Sequence, residues 1–398
     1  MADNKDKKVL NVPALRFPEF TGEWEKCKLS KVCSFFSGGT PPSSNKEYYN
    51  GNIPFIRSGE LHNDETELFI TKEGLDNSAA KMVEVGDLLL ALYGATSGEI
   101  AISKIKGAIN QAILCIRTKQ NKKFVESVWN KHVARLLQTY LQGGQGNLSA
   151  DIVKNIPFYF TNIEEQNKLA RFISLLDQRI AAQNKIIDKL QSLIKGLNDH
   201  ILENIEGDQV CFADLGEAYG GLSGKSGDDF GCGDPFITYM NVYQNTYILE
   251  NDYELVQIAP DEKQNSVQYG DALFTLSSET PEEVGMGAVY LGKSQKLYLN
   301  SFCFGVHFHG NRVLPQYIAH FISSTSFRKA IYPLAQGSTR FNLQKQDFMR
   351  MKFVLPSLEE QERIATALDA LHNHLTNEKL LTEQYLLLKQ YLLQHMFI

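Results

Sequence analysis

Polar, glycine-rich loops are the segments of this sequence best suited to binding a ligand. Loop 37–41, SGGTP, offers backbone N–H groups and two hydroxyls to a phosphate oxygen, although it could equally be a flexible turn. Loops 145–148 and 336–342 carry asparagine, glutamine and arginine, which form bidentate pairs with adenine or guanine edges. Arg340 is the best candidate base reader, whereas for Asn147 and Asn342 we favour a loop-capping role because the two correspond. The chemistry indicated is nucleic-acid recognition.

Residues for catalysis or cofactor binding do not occur in recognisable arrangements. The sequence has no GxxxxGK[ST] motif, no GxGxxG loop that opens a helix, no HExxH and no GxSxG, and its six cysteines form no CxxC pair. Asp87 and Asp271 each follow a glycine and precede an apolar run, which is typical of a turn that starts a strand. The carboxylates of Glu279, Glu282 and Glu283 are more typical of a solvated loop than of a metal site. We therefore predict a non-catalytic chain with no metal and no cofactor of its own.

The charge is distributed unevenly along the chain, although its net value is only −6. Residues 101–160 hold nine Lys and Arg against two Asp and Glu, and residues 289–355 hold nine against one. Residues 206–288 are strongly acidic. Chance clustering of solvated lysines would explain one basic stretch, but recurrence at corresponding places favours a surface that binds phosphates.

The chain contains an internal repeat. Short motifs return in the same order in the second half: Gly38-Gly39 as Gly220-Gly221, Pro54-Phe55-Ile56 as Pro235-Phe236-Ile237, Gly86-Asp87 as Gly270-Asp271, Asn110 as Asn300, Asn147-Leu148 as Asn342-Leu343, and Glu164-Glu165-Gln166 as Glu359-Glu360-Gln361. We predict a disordered start over 1–12, globular domains over 13–160 and 206–355, and long helices over 161–205 and 356–398. Short apolar runs predict strands at 53–58, 87–93 and 112–118, and residues 122–142 predict a helix.

The two long helices show heptad patterns. From Leu169 to Ile201 apolar residues alternate in steps of four and three, with Gln183 the one polar member, which predicts a coiled coil. The second helix begins its seam at Ile364, loses register near 376–380 and resumes at Leu381, Tyr385, Leu388 and Leu392. Thr161 or Asn162 is expected to cap the first helix and Ser357 the second. The simplest arrangement pairs the helices within the chain, and an intermolecular coiled coil is the alternative.

Several of these motifs together resemble the specificity subunit of type I restriction–modification enzymes. They are the SGGTP loop at 37–41, the segment 52–56 (NIPFI), the segment 148–157 that leads into 164–166 (EEQ), and the repeat at 358–361 (LEEQ). The resemblance covers nearly the whole chain. It implies an α+β fold with two similar mixed α/β target-recognition domains, separated by two long helices that form an antiparallel coiled coil.

The resemblance also implies a function and partners. Each recognition domain would read one half of a bipartite double-stranded DNA target, and the helices would set the spacer and dock two modification (methyltransferase) subunits. Restriction (translocase and nuclease) subunits would join the complex. S-adenosylmethionine, ATP and Mg would belong to these partner subunits only, and the chain itself would be a non-catalytic subunit that directs adenine methylation or cleavage.

We accordingly predict the residues that meet DNA and partners. The predicted DNA-binding residues are Ser37, Gly38, Gly39, Thr40, Lys46, Tyr48, Arg57, Thr96, Ser97, Arg117, Lys119, Gln145, Lys225, Tyr239, Arg312, Arg340 and Lys345. The predicted partner-docking residues on the helices are Leu176, Ile180, Ile187, Leu190, Leu368, Leu371 and Leu388. In the second repeat the SGGTP flanks become Tyr219 and Leu222, and the loop at 94–98 becomes the longer acidic 277–287, so these segments are expected to carry half-site differences.

Two further expectations concern location and an alternative function. Scattered thiols and the lack of an apolar leader or membrane span predict a cytoplasmic protein. The main alternative is a coiled-coil scaffold with two domains that bind ligands other than DNA. It accounts for the helices and the acidic 206–288 segment but leaves the two basic stretches unexplained. A self-sufficient nuclease is a weaker alternative because no metal-binding carboxylate cluster is recognisable.

Overall fold

The computed structural model describes residues 10–140, 148–250 and 253–398. The chain divides into two compact units. Unit 1 comprises Met1–Asn184 and Leu381–Ile398, and unit 2 comprises Lys185–Leu380. Each unit therefore contains one globular domain together with part of both long helices.

Both units begin with a short strand, a short helix and two further strands, and both end with a short helix and a strand that lead into a long helix. The helices are α1 (Leu29–Val32), α2 (Lys72–Asp76), α3 (Lys122–Tyr140), α4 (Ala150–Asn155), α5 (Ile163–Glu203), α6 (Phe212–Leu215), α7 (Tyr239–Gln244), α8 (Pro315–Ile322), α9 (Thr325–Ile331), α10 (Lys345–Met349) and α11 (Leu358–Met396). The strands of unit 1 are β1 (Glu25–Lys28), β2 (Cys33–Ser37), β3 (Tyr49–Ile56), β4 (Phe69–Ile70), β5 (Lys81–Val83), β6 (Leu88–Ala91), β7 (Ile100–Ile102), β8 (Gly107–Ile109), β9 (Ile113–Thr118) and β10 (Pro157–Phe160). Those of unit 2 are β11 (Asp208–Cys211), β12 (Gly216–Gly220), β13 (Phe230–Ile237), β14 (Tyr247–Ile248), β15 (Glu254–Val256), β16 (Ala272–Thr275), β17 (Ser277–Ser278), β18 (Gly287–Tyr290), β19 (Tyr298–Leu299), β20 (Cys303–Phe308), β21 (Ala335–Gln336), β22 (Phe341–Leu343) and β23 (Lys352–Leu355).

The sheets of unit 1 have clear counterparts in unit 2. Unit 1 has sheets of order β2-β9-β6-β7 and β4-β3-β8-β5, and β1 pairs with β10 just before α5. Unit 2 has the orders β12-β20-β16-β18-β14 and β15-β13-β19, and β11 pairs with β23 just before α11. A further small sheet, β17-β22-β21, occurs in unit 2. The repeated motifs therefore occupy repeated places in the fold.

Hydrophobic periodicity explains why these strands and helices form where they do, with a period of two in strands and about 3.6 in helices. The predicted strands 53–58, 87–93 and 112–118 are confirmed as β3, β6 and β9. The predicted helix 122–142 is α3, of which the last two predicted residues lie outside the described residues. Phe124, Val128 and Trp129 of α3 are buried against the core of unit 1 together with Leu88 and Leu90 of β6.

The long helices begin at polar caps. Asn162 Oδ1 accepts a hydrogen bond from the Glu165 N–H at 2.9 Å, and Ser357 Oγ accepts from the Glu360 N–H at 3.3 Å. These side chains satisfy N–H groups that have no partner inside the helix. The predicted caps are therefore confirmed, with Asn162 in that role for α5.

Within unit 1 the two long helices pack antiparallel. Asp177 of α5 forms an ion pair with Lys389 of α11 (Oδ1–Nζ 2.6 Å), and Arg179 Nε donates to Tyr385 Oη at 3.2 Å. Higher numbers on α5 thus meet lower numbers on α11. Leu169 and Ile173 share a hydrophobic core with the α11 residues Leu392 and Met396.

The heptad pattern predicts the buried side of α5 well and that of α11 less well. The predicted α5 seam, listed from Leu169 to Ile201, is buried or half-buried throughout. On α11, Leu388 was predicted to lie in the seam, but its side chain is 44% exposed, and Lys389 takes the inward place. The ion pair between Lys389 and Asp177 accounts for this difference from the prediction. Because Lys389 points inward to meet Asp177, the neighbouring Leu388 points outward.

In unit 2 the same two helices pack on the second domain. Asn198 of α5 donates to the His320 carbonyl at 3.1 Å, and Asp369 of α11 contacts His320 Nε2 at 2.8 Å. Ile364 and Leu368 belong to the core of this unit. Among the residues that the structure describes, no helix has the length and apolar content needed to cross a membrane.

Candidate nucleic-acid interface

Unit 2 contains a cleft of about 320 Å³ that combines aromatic, cationic and acidic side chains. We call it the recognition cleft, and its lining residues are Tyr239, Met240, Tyr243, Ser277, Ser278, Glu279, Glu283, Phe302 and Arg340. They come from α7, from β17 and the turn after it, and from the loops at 300–303 and 336–341. Two predicted DNA-binding residues, Tyr239 and Arg340, are thus brought together from positions about a hundred residues apart.

One wall of the recognition cleft is held by hydrogen bonds from α7. Thr238 caps this helix by accepting from the Asn241 N–H at 3.1 Å. Tyr239 Oη then donates to the Ser277 carbonyl at 2.9 Å, and Tyr243 Oη donates to Glu283 Oε1 at 2.7 Å. The repeat motif at 235–237 therefore places two tyrosines against the acidic segment that follows β16.

The Glu283 carboxylate is oriented and kept ionised. Its other oxygen, Oε2, accepts from Ser278 Oγ at 3.1 Å. The hydrogen bond from Tyr243 is the main cause that lowers the pKa of Glu283, with help from Thr280 and Ser278. An ionised carboxylate is an acceptor only, so it selects ligands that present donors.

The cleft also has exposed apolar side chains, one of which lies beside a cation. Phe302 is 54% exposed and Met240 is 47% exposed. The Arg340 guanidinium lies 5.7 Å from the centre of the Phe302 ring. Large exposed apolar side chains beside an arginine are typical of a binding surface rather than of a solvated loop.

The loop that carries Arg340 has a defined conformation. Gly337 has φ 142°, and a Cβ there would lie 2.1 Å from the Arg340 carbonyl oxygen, so the loop requires glycine. β22 pairs with β17 through Asn342 and Ser277, which holds the loop against the cleft. The Asn342 side chain lies 3.5 Å from the Arg340 carbonyl, which supports the predicted capping role.

The corresponding place in unit 1 has different chemistry. Thr40 Oγ1 donates to Gln111 Oε1 at 2.5 Å, and Ser97 Oγ donates to the Leu92 carbonyl at 3.0 Å. The Thr96 hydroxyl is buried and has no partner among the described residues. The loop 94–98 therefore carries small polar side chains where the corresponding segment of unit 2, residues 277–287, carries glutamates.

The two glycines of the SGGTP loop have a packing role. A Cβ on Gly38 would lie 1.8 Å from the Ile109 carbonyl oxygen, and one on Gly39 would lie 2.5 Å from the Ala79 Cβ. The loop therefore passes too close to its neighbours for any other residue. This contact accounts for both glycines without a bound phosphate, and their contact with DNA stays a prediction, as does that of half-buried Ser37 beside them.

Several predicted DNA-binding cations already have acidic partners. Arg57 pairs with Glu60 and Glu67, Arg117 with Asp87, Lys225 with Glu262, and Arg312 with Asp208. The Arg57 contact lowers the pKa of Glu60 to about 2 despite its burial. The Arg117 contact likewise lowers the pKa of the buried Asp87, which opposes the effect of burial. Arg57, Arg117 and Lys225 shape their loops, whereas the pair of Arg312 with Asp208 is exposed, so fewer charges than the sequence indicated are free to meet phosphates.

The remaining predicted residues differ in exposure. Lys46, Lys119 and Lys345 are exposed, and Tyr48 is half-buried. Gln145 and Asn147 lie outside the described residues. The sequence did not indicate Met240, Tyr243, Phe302 or the ordered Glu283, although the mismatch between 94–98 and 277–287 pointed to their neighbourhood. Over residues 10–140, 148–250 and 253–398, no three His, Cys, Asp or Glu side chains lie where they could hold a metal ion.

The fold and the cleft define a class of protein: a duplicated recognition domain with paired long helices. The family described as the type I restriction modification DNA specificity domain matches residues 21–192 and 219–384. The chain therefore belongs to the family of type I restriction–modification specificity subunits. As such it is a non-catalytic subunit that recognises DNA sequence.

Known relatives and structures agree with this family. The specificity subunit of the type I restriction enzyme MjaVIII from Methanocaldococcus jannaschii is 21% identical over 397 residues, covering 93% of this chain and 90% of that protein. The HindI specificity subunit from Haemophilus influenzae is 26% identical over 136 residues, covering 32% of this chain and 29% of its own length. The S subunit of a type I restriction–modification system from M. genitalium shares the fold with a TM-score of 0.57 at 12% identity, covering 97% of this chain and 99% of its own. A chain from a structure on assembly and conformational transition of the type I R-M system has a TM-score of 0.61 at 15% identity, covering 93% and 96%. The predicted α+β class with its antiparallel helices is confirmed.

Proposed function

We propose that each unit reads one half of a bipartite DNA target and that the chain directs adenine methylation or cleavage by partner subunits. The observation that carries the proposal is that corresponding loops of the two units hold different polar side chains. Glu279 and Glu283 of the loop 277–287 line the recognition cleft in unit 2, whereas the corresponding loop 94–98 of unit 1 carries Thr96 and Ser97. Two similar domains with unlike surfaces suit two unlike half-sites.

The recognition cleft has groups for each kind of base edge in the major groove. The Arg340 guanidinium matches guanine O6 and N7, and the Glu283 carboxylate accepts from the amino group of cytosine or adenine. Phe302 and Met240 offer apolar contact to a thymine methyl group. The exposed Lys345 on α10 and Lys119 in unit 1 suit phosphates, which position the protein without reading sequence.

We propose that the partners dock on the outward sides of the long helices. Leu175 of α5 is 55% exposed, and Leu386, Leu387 and Leu388 of α11 are 50%, 65% and 44% exposed. The other predicted docking residues, from Leu176 to Leu371, are buried or half-buried in the helix seam. The docking surface therefore includes Leu388 and its neighbours, and the inward residues support it from below. S-adenosylmethionine, ATP and Mg are expected in the modification and restriction subunits.

The deciding experiment maps methylated adenines in the genome of the source strain with and without this gene. We expect methylation at one bipartite motif to disappear when the gene is deleted. An unchanged methylation map would refute the role in modification.

The alternative scaffold function is tested by salt. Binding of the complex to random duplex DNA should weaken steeply as salt rises, because phosphate contacts release counterions. The scaffold alternative predicts that no such binding exists at any salt concentration.

A further inference from the structure

A second cavity, of about 500 Å³, lies away from the recognition cleft, where β11 and β23 meet the start of α11 in unit 2. We call it the helix-start groove, and its main lining residues are Glu206, Asp208, Arg312, Leu355, Leu358 and Glu360. The proposed DNA recognition does not use it. The internal repeat offers a comparison, because in unit 1 another segment of the chain binds at the corresponding helix start.

The starts of the two long helices correspond in their contacts. Gln166 and Gln361 each follow a Glu-Glu pair and make the same contacts. The side-chain oxygen of Gln166 accepts a hydrogen bond from the Asn121 N–H at 3.1 Å, and that of Gln361 accepts one from the Leu314 N–H at 2.7 Å. Each side-chain nitrogen donates to the carbonyl five residues earlier, at 2.6 Å and 2.9 Å. Glu165 in unit 1 is therefore the equivalent of Glu360 in unit 2.

In unit 1 an amino-terminal arm, residues 10–24, fills the groove. Arg16 binds Glu165 with two parallel hydrogen bonds, Nε to Oε1 and Nη2 to Oε2, both 2.7 Å. Glu165 is 1% exposed as a result. Such a bidentate pair is the strong and geometrically specific form of an arginine–carboxylate contact.

Aromatic contacts complete the arm. Phe17 packs edge-on against Phe172 of α5, with ring centres 5.9 Å apart, and the Lys168 Nζ lies 4.5 Å from the centre of the Phe17 ring. The Leu15 N–H also donates to the His395 carbonyl at 2.8 Å. The groove of unit 1 thus binds an arginine followed directly by an aromatic residue.

Among the described residues of unit 2 there is no such arm. α5 ends at Glu203 and β11 begins at Asp208, so four residues connect them and none returns over the start of α11. The Glu360 side chain is 33% exposed, whereas that of its counterpart Glu165 is 1% exposed. Glu360 instead accepts two hydrogen bonds from Arg363, one helical turn away, and Asp208 pairs with Arg312. The Arg363 side chain is 76% exposed and that of Arg312 is 51% exposed, so solvent screens both pairs and another cation can compete for the carboxylates.

We propose that the helix-start groove binds a segment of a partner protein that carries an arginine followed by an aromatic residue, with Glu360 as the arginine's acceptor. Three acidic side chains, Glu206, Asp208 and Glu360, outweigh the single Arg312 in the lining, so the groove attracts a cation. The incoming arginine takes the Glu360 carboxylate from Arg363, and the aromatic residue packs along α11 near Arg363 and Ala367, the counterparts of Lys168 and Phe172. The proposal does not depend on how the chain reads DNA.

The test uses the arm as a probe. A fluorescent peptide with the sequence of residues 10–24 is titrated against the full chain, and its anisotropy is measured. We expect saturable binding whose affinity falls at least tenfold when Glu360→Gln removes the acceptor carboxylate. Leu358→Lys should have a similar effect, because it places a cation at an exposed position in the groove. Glu359→Gln, on the exposed neighbour of Glu360, is the matched control and should leave the affinity unchanged.

Peptide variants separate the groove from non-specific attraction. A peptide with Arg16→Lys keeps the charge but loses the bidentate geometry, so it should bind several-fold more weakly. The thermal midpoint of each protein variant shows that unit 2 remains folded, and Leu358→Lys serves if Glu360→Gln disturbs the helix start. Absence of saturable binding, or equal affinity for the wild type and both groove variants, would overturn the proposal.

Discussion

At the scale of single residues, the recognition cleft depends on side chains whose orientation is held by neighbours. Arg340 lies over Phe302, and Glu283 is oriented by Tyr243 and Ser278. Arg57, Arg117, Lys225 and Arg312, by contrast, are occupied by carboxylates. Arg340 is therefore a better candidate for direct base contact than any of these four.

Replacing Arg340 should weaken binding to the second half-site and leave the base preferences of the first unchanged. A bidentate pair with guanine contributes about 1–3 kcal/mol of discrimination, so Arg340→Ala should lose roughly fivefold or more in affinity. Arg340→Lys should lose nearly as much if the contact is to a base, because lysine cannot form the pair. The measurement is equilibrium binding of the assembled complex to duplexes altered in one half-site at a time. Unchanged affinity of Arg340→Ala for the cognate duplex at moderate salt would contradict this assignment.

Replacing Glu283 should alter the preference for an amino-bearing base. We expect one position of the second half-site to prefer cytosine or adenine in the wild type, because the ionised carboxylate accepts hydrogen bonds only. Glu283→Gln adds a donor and should relax that preference or shift it to adenine. Selection of bound sites from a random library measures this, with Glu254→Gln, an exposed carboxylate on β15, as the control. The assignment is wrong if Glu283→Gln selects the same bases as the wild type at every position.

At the scale of elements, polar groups fix how the long helices pack. Lys389 and Asp177 form an inward ion pair within unit 1, and a buried network joins α8 to α11 within unit 2. In that network His320 Nε2 lies 2.8 Å from Asp369 Oδ1, and Tyr247 Oη donates to the same oxygen at 2.6 Å. His320 Nδ1 is buried with no partner among the described residues, so a second proton there would have no acceptor.

The stability of unit 2 should therefore fall at mildly acidic pH. Burial lowers the pKa of His320 in the folded state below its unfolded value near 6.5, although Asp369 opposes the shift. The unfolded chain then binds the proton first, so stability is fully present above about pH 6.5 and is lost as pH falls from there towards the folded pKa. Urea unfolding of the wild type and of His320→Gln between pH 8 and pH 5 tests this. The variant's free energy of unfolding should depend less on pH, and parallel curves for the two proteins would exclude His320 as the cause.

At the scale of the whole molecule, the chain is a duplicated domain with both long helices shared between its two units. The division between units falls at 184–185 on α5 and at 380–381 on α11. The proposed bipartite target requires these helices to set the distance between half-sites. Insertions at the two division points are the direct way to examine that role.

Adding one heptad to both helices at these points should lengthen the spacer of the target. Seven residues add about 10 Å of helix and keep the heptad register. At ~3.4 Å per base pair, the selected spacer should grow by about three base pairs. Site selection from a random library measures it, and insertion of seven residues into the exposed loop near 293–296 is the control for length alone. A selected site with its spacing unchanged would show that the helices do not act as a ruler.

The sequence by itself determined the repeat, the helix seam of α5, the positions of the main strands and the absence of recognisable catalytic motifs. These follow from local periodicity, from capping residues and from motifs that occur twice, so that each copy supports the interpretation of the other. The Glu-Glu-Gln motif illustrates this, because its glutamine makes the same contacts in both units. The family followed from the same residues.

Only the tertiary structure decided which polar residues are available to a ligand. Partners far apart in the chain occupied Arg117 and Arg312, and close packing against Ile109 and Ala79 explained Gly38 and Gly39. The same long-range contacts brought Tyr239, Glu283, Phe302 and Arg340 into one cleft, and in unit 2 they left Glu360, the counterpart of Glu165, paired with the nearby Arg363. Periodicity reports which face of an element is buried, whereas the pairing of side chains across elements depends on how the folded chain brings them together.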